Sequence, residues 1–128
     1  MNEELDPLAW VAKAEGDLRM ARSALRSKEP ITFGACFHVQ QCAEKYLKAI
    51  LVMCGKGFPK THDLIELTRL CDRAGVLVPI AEDALDKLSD WAATARYPGV
   101  IPTLQDAREA METTQAVRKF ARKFLNVR

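Results

Sequence analysis

The chain has 128 residues, of which 48% are hydrophobic and 28% are charged, as is typical of one globular domain with its own core. Its 19 Lys and Arg residues against 17 Asp and Glu residues give a net charge of +2. This balance excludes a protein that holds nucleic acid by overall charge alone, so any polyanion site must be local.

The first two predicted helices are delimited by capping residues and a glycine. Asp6 before Pro7 indicates a helix start, because an N-cap oxygen precedes a residue suited to the first helical position. Apolar residues at steps of three and four extend this helix from about residue 7 to about residue 27. Thr32 is the predicted cap of the second helix, whose apolar pattern continues to Cys54 before the terminating Gly55.

Three further helices follow after short connections. Thr61 is the predicted N-cap of the third, which Gly75 ends, and Pro79 is the predicted start of the fourth, which Pro98-Gly99 ends. Thr103 introduces the fifth helix. The fourth helix also carries acidic residues at i, i+4 spacing that we expect to face solvent: Glu82, Asp86 and Asp90.

These elements predict an all-α architecture without a linker that would divide it. Only the short run Val76–Val78 suggests period-two alternation, and no internal repeat is present. We therefore predict an up-and-down bundle of about five helices, forming a single domain over residues 1–128.

The sequence also bears on location and on metal binding. No run approaches the ~18 apolar residues of a membrane helix, and the N-terminal MNEELDPLAW is acidic where a secretory signal would be basic. We expect a cytoplasmic protein with no membrane association, no cofactor and no metal site. The four cysteines form no CxxC pair and are expected to be reduced, packed thiols. The alternative is a zinc site made of Cys36, His38, Cys42 and His62.

The second helix places polar groups at specific angles around its axis. Gln40 falls within the apolar arc, where a buried amide must be hydrogen-bonded; it either satisfies a neighbouring helix or dimer partner, or lines a pocket. Glu44 at the edge of the arc is four residues before Lys48, the favourable order for an ion pair. Lys45 and Lys48 share the opposite face with His38, which is either a solvated stripe or a phosphate-binding surface.

Two later segments are candidate anion sites. His62 lies beside Thr61 at a predicted helix N-terminus, where backbone N–H groups bind anions and the dipole disfavours a charged imidazole. The alternative is that the segment simply caps the helix. Arg96-Tyr97 ends the fourth helix, and this pair suits a phosphate together with a base or ribose.

Three motifs occur in a specific order along the chain. They are FHVQQCAEKYLKAIL over Phe37–Leu51, FPKTHDLIEL over Phe58–Leu67 and ARYPG over Ala95–Gly99. In this order they resemble the HEPN domain, the higher eukaryote and prokaryote nucleotide-binding domain. The resemblance spans about residues 33 to 99, and the number of helices fits the whole chain.

The resemblance implies a helical bundle that pairs as a homodimer and is often encoded beside a minimal nucleotidyltransferase, in a toxin–antitoxin-like pair. Many members are implied to be metal-independent ribonucleases with an Arg-x4–6-His motif, in which histidine handles protons and arginine stabilises phosphoryl charge. Arg96 matches the arginine, but Ile101, Pro102 and Thr103 occupy the positions of the histidine. We therefore predict no substantial ribonuclease activity of the chain by itself.

Three functions follow from this resemblance. The first is nucleotide or RNA-phosphate binding beside a nucleotidyltransferase-domain protein, through Lys45, Lys48, His62, Arg96 and Tyr97. The second is a ribonuclease toxin with an altered site, for which His62 would have to lie near Arg96. The third is a structural docking partner of the nucleotidyltransferase.

Cations also accumulate near the C-terminus: Arg118, Lys119, Arg122, Lys123 and Arg128. They either complement the helix dipole or guide RNA.

Overall fold

The computed structural model describes residues 2–128, which form a short 3-10 turn and five α-helices. No strand occurs among these residues, so the predicted all-α bundle is confirmed. None of the helices over residues 2–128 combines the length and the apolar character needed to cross a membrane. The turn covers Glu3–Leu5, and the helices are α1 (Pro7–Arg26), α2 (Thr32–Met53), α3 (Leu64–Arg73), α4 (Glu82–Thr94) and α5 (Leu104–Phe124).

Several helix ends are where the sequence predicts them. Asp6 caps α1 by accepting a hydrogen bond from the backbone N–H of Leu8. Gly55 and Gly75 follow α2 and α3 with φ values of 70° and 90°, a left-handed conformation that glycine adopts without strain. Thr103 begins α5 in a reciprocal capping box with Asp106.

Three predicted starts are wrong, because tertiary contacts and loop geometry override the local pattern. Thr32 is not a cap: Ile31 precedes α2, and the Thr32 hydroxyl donates to the carbonyl oxygen of Pro102 at 2.6 Å. Asp63, rather than Thr61, caps α3. The fourth helix begins at Glu82 instead of Pro79 and ends at Thr94, before the Pro98-Gly99 pair.

Helix α2 lies at the centre of the bundle and contacts each of the other four helices. Its buried positions surround much of the helix, as expected for an element packed on several sides. Tyr46, Leu47, Ile50 and Leu51 are all fully buried there. The prediction of a solvated opposite face is therefore wrong at Lys48, which is only 8% exposed.

The cysteines are free thiols, as predicted. Burial raises the pKa of Cys36, Cys42 and Cys71 to about 12, which keeps these side chains as neutral core groups. The zinc alternative does not match the geometry, because His38 and His62 bind separate carboxylates and no three potential ligands converge among residues 2–128.

Candidate functional site

A groove of about 310 Å³ lies where the loop before α3 meets α4 and the turn that follows it. Two residues predicted separately from the sequence, His62 and Arg96, line this groove together, and we call it the His62–Arg96 groove. They are 34 positions apart in the sequence, and the packing of α3 against α4 brings them together. The other residues that line it include Asp63, Asp86, Ser89 and Asp90.

His62 is held on two sides by side chains of α2. The Gln40 side-chain amide donates to the His62 carbonyl oxygen at 2.8 Å, and His62 Nδ1 lies 2.7 Å from Glu44 Oε1. Because a carboxylate only accepts hydrogen bonds, Nδ1 carries the proton in this contact. The imidazole is 62% exposed, so Nε2 is the nitrogen available to a ligand.

Gln40 and Glu44 thus take positioning roles within the chain. Gln40 is fully buried and Glu44 is 3% exposed, and neither lines the His62–Arg96 groove. Of the two alternatives for Gln40, the structure shows the first, since its amide satisfies a neighbouring segment.

Lys48 is enclosed by aromatic rings and a carboxylate. Its Nζ lies 3.0 Å from Glu44 Oε2, 5.7 Å from the centre of the Trp10 ring and 5.4 Å from that of Phe58. The two rings meet edge to face with their centres 5.7 Å apart. Lys48 therefore positions Glu44, and it does not line the His62–Arg96 groove.

Lys45 belongs to a second network between α1 and α2. Its Nζ contacts Asp17, and the other oxygen of that carboxylate lies 2.8 Å from His38 Nδ1. The structure therefore separates Lys45 from His62 and Arg96. Asp17 is 7% exposed, so this ion pair links α1 to α2 in a partly desolvated setting.

The predicted anion site in the backbone at the start of α3 is wrong, because the chain itself satisfies those N–H groups. Asp63 Oδ1 accepts from the N–H of Ile65 and, more weakly, from that of Glu66. The N–H of Leu64 donates to Ser89 Oγ at 2.8 Å. An anion in the groove is therefore bound by side chains and not by these backbone N–H groups.

Arg96 and Tyr97 lie in the turn after α4, where both are exposed. The Arg96 guanidinium lies over the Phe37 ring, 5.4 Å from its centre, in a cation–π contact that places it without using a carboxylate. Arg96 also lines a second groove of about 250 Å³, in which Phe33, Tyr97 and Ile101 are exposed apolar side chains.

The sequence does not predict the acidic lining of the His62–Arg96 groove. Asp86 and Asp90 of α4 were predicted to face solvent and are indeed exposed, but they also line the groove beside Arg96. Their i, i+4 spacing indicated a common face, although only the packing of α4 shows what that face borders. The groove therefore offers a guanidinium and an imidazole together with carboxylates.

Two of the C-terminal cations have a structural role. Arg118 forms two hydrogen bonds of 2.8 Å to the Glu15 carboxylate, and Arg122 donates to the Tyr46 hydroxyl at 3.1 Å. Tyr46 in turn donates to Glu15 at 2.5 Å. Arg118 and Arg122 therefore join α5 to α1 and α2, which disagrees with an RNA-guiding patch at these two positions.

Comparison with known proteins agrees with the motifs and the fold. Residues 8–124 match the family model of the HEPN domain. The structure is similar to the crystal structure of TT1696 from Thermus thermophilus, with a TM-score of 0.72 and 25% identity over 91% of this chain and 96% of that chain. No curated protein sequence matches the chain.

Proposed function

The chain belongs to the HEPN family, and on that premise we propose that it binds a nucleotide, or a nucleotide unit of RNA, in the His62–Arg96 groove. The observation that carries this proposal is that an exposed guanidinium and an imidazole oriented by Glu44 line one groove. A guanidinium provides charge and several donors for a phosphate, while His62 Nε2 can exchange a hydrogen bond with it.

The acidic side of the groove favours a nucleotide over a simple anion. Asp86 and Asp90 would repel inorganic phosphate, but carboxylates accept hydrogen bonds from ribose hydroxyls and from exocyclic base amines. Tyr97 is 62% exposed next to Arg96 and offers a ring on which a base can stack. In this arrangement Arg96 binds the phosphate, while Asp86 and Asp90 bind the sugar or base.

The protein is further proposed to act as a homodimer. Phe33 and Ile101 are 54% and 83% exposed at the second groove and form an apolar surface near Arg96, while Tyr97 at the same groove is left to the nucleotide. A two-fold axis through this surface would cover it with its own copy and bring two Arg96 side chains close together. Sedimentation at micromolar concentration tests this, since a monomer would contradict it, and Ile101→Asp should dissociate the dimer.

Pairing with a nucleotidyltransferase-domain protein, in a toxin–antitoxin-like system, is the partnership that the family membership supports. The test is co-expression of the chain with a nucleotidyltransferase encoded beside its gene, followed by purification of a complex. A nucleotidyltransferase that elutes alone would contradict the pairing.

Nucleotide binding is tested by a thermal-shift panel of mononucleotides and short RNAs. A ligand at 100 times its dissociation constant stabilises the folded state by about 2.7 kcal/mol. We expect this shift to be lost in Arg96→Gln and retained in Arg108→Gln, which removes an exposed arginine on α5. A panel without any shift would contradict nucleotide binding and favour the purely structural docking partner.

A ribonuclease is the second candidate, because His62 lies in the groove with Arg96 and Glu44 holds its Nδ1. This geometry would let His62 Nε2 take the proton of a 2′-OH while Arg96 stabilises the phosphate charge. A positioned general base contributes roughly 10²- to 10⁴-fold. Metal-independent RNA cleavage that is lost in both His62→Ala and Arg96→Ala would make this the leading function. His38→Ala is the matched control, since His38 also binds a carboxylate but lies elsewhere.

A further inference from the structure

A long groove follows the exposed side of α1, on a surface that the His62–Arg96 groove does not use. It has two neighbouring parts, of about 620 Å³ and about 310 Å³, which are both lined by Lys13 and Lys45. Arg19 and Ser23 line the larger part, and Trp10, Glu3 and Glu4 line the smaller part. We call these two parts together the α1 groove.

The larger part of the α1 groove is basic. Lys13 and Arg19 are exposed there, and Lys45 lies beside them in its ion pair with Asp17. Asp17 is the carboxylate that lines this part, and it is already bound by Lys45 and His38. The His62–Arg96 groove has the opposite character, with three aspartates beside one arginine. A chain of phosphates is therefore attracted to the larger part of the α1 groove more strongly than to the His62–Arg96 groove.

The floor of the larger part is made of small residues, Ala12, Gly16 and Ser23. Gly16 lies inside α1, where glycine costs about 1 kcal/mol relative to alanine. A Cβ at this position would have the Arg19 side chain as its nearest neighbour, at 3.9 Å, which is an ordinary contact. Packing within the chain thus does not require a glycine at this position, whereas a ligand lying against the helix would benefit from the space.

The smaller part adds an aromatic ring, that of Trp10, and two carboxylates, those of Glu3 and Glu4. The Trp10 indole is fixed by a 3.0 Å hydrogen bond from Nε1 to the carbonyl oxygen of Glu4 and by its edge-to-face contact with Phe58. From Trp10 to Ser23 the groove extends about 20 Å along the helix axis. Cations along a groove with an aromatic ring on which a base can stack are typical of surfaces that bind single-stranded nucleic acid.

We infer that the α1 groove binds the phosphate backbone of single-stranded RNA, with Lys13 and Arg19 as the phosphate contacts and Trp10 as a stacking surface. An acidic protein fits the groove less well, because protein interfaces have an apolar core, whereas only Met20 is a large exposed apolar side chain in the basic part. The inference rests on the proposed function only in taking RNA as the ligand, because it assigns RNA binding to a surface other than the His62–Arg96 groove.

The test is the salt dependence of RNA binding, measured by fluorescence anisotropy with an end-labelled single-stranded RNA. Between about 50 and about 200 mM salt, each phosphate contact contributes roughly 0.7 to the slope of log K against log salt. Lys13→Gln/Arg19→Gln should therefore lower the magnitude of the slope by about 1.4. Arg108→Gln/Lys119→Gln changes the net charge equally at exposed sites on α5 and should leave the slope unchanged.

A second variant tests shape without changing charge. Gly16→Leu fills the floor of the groove and should weaken RNA binding, whereas its thermal midpoint should stay at or above that of the parent chain. Three results would each overturn the inference. They are an equal change of slope in the two double variants, unaltered RNA binding by Gly16→Leu, and displacement of RNA by polyglutamate at equal charge.

These experiments test the two proposed binding surfaces independently of each other. Mononucleotide shifts that depend on Arg96 test only the His62–Arg96 groove, because a mononucleotide lacks a phosphate chain. Loss of the mononucleotide shift together with an RNA slope that depends on Lys13 and Arg19 would contradict the proposed site and leave the α1 groove supported.

Discussion

Replacing Glu15 by Gln should remove a large part of the acid sensitivity of this protein. Arg118 binds the Glu15 carboxylate through two hydrogen bonds. This contact is the main reason that the pKa of Glu15 is lowered from 4.5 to about 2. Each unit of pKa corresponds to about 1.4 kcal/mol, and the Glu15 side chain is 24% exposed, so the ionised carboxylate stabilises the fold by about 3 kcal/mol.

The direction of the pH effect follows from the lowered pKa. The Glu15 carboxyl binds its proton less tightly in the folded state than in the unfolded state. Its contribution to the stability of the fold is therefore complete above the unfolded pKa of 4.5 and is lost as the pH falls towards about 2. Gln has the shape of the protonated acid. The parent chain and Glu15→Gln should therefore differ by about 3 kcal/mol near neutral pH and converge in strong acid.

Urea unfolding at a series of pH values between about 6 and about 2 measures this difference directly. Glu29→Gln is the control, because Glu29 is an exposed carboxylate in the turn between α1 and α2. A difference between the parent chain and Glu15→Gln that stays constant over the whole pH range would refute the reasoning. It would mean that Glu15 acts through packing and not through its charge.

Three further substitutions test contacts between and within helices by urea unfolding. Glu44→Ala should cost about 3 to 5 kcal/mol, because it leaves the buried Lys48 ammonium without its carboxylate; a cost near zero would contradict the ion pair. Thr103→Ala should cost about 1 kcal/mol by removing the capping box of α5, and an unchanged midpoint would argue against the cap. Thr114→Val should cost about 1 kcal/mol, since the buried hydroxyl donates to a carbonyl of α2 at 2.9 Å; a more stable variant would show that this bond contributes nothing.

The sequence predicts several of the residues at the site, but it does not predict the contacts between them. The motifs predict His62, Arg96 and Tyr97 as site residues, and His62 and Arg96 do line one groove. The charge of Lys48 and its position on α2 also predict a ligand contact, yet its ammonium is buried between two rings. A helical wheel gives the direction of a side chain but not the neighbours that it meets, and those neighbours decide whether a cation is available to a ligand.

Local physical chemistry was sufficient where a structural feature depends on consecutive residues. The Asp6-Pro7 start, the glycines after α2 and α3 and the Thr103 capping box are settled within a few positions of the chain, so the sequence alone determined them. The hydrophobic periodicity likewise determined the all-α bundle, because each amphipathic face must be buried.

Only the tertiary structure decided which charges are paired and which are exposed. Arg118 meets Glu15 from 103 positions away, and Gln40 meets the carbonyl of His62 from 22 positions away. Such pairs depend on the angle and offset at which two helices pack, and a periodic pattern does not contain these quantities. The sequence therefore determined the helices and the residue types at the site, while packing decided that His62 and Arg96 line one groove and that Lys13 and Arg19 lie on a separate one.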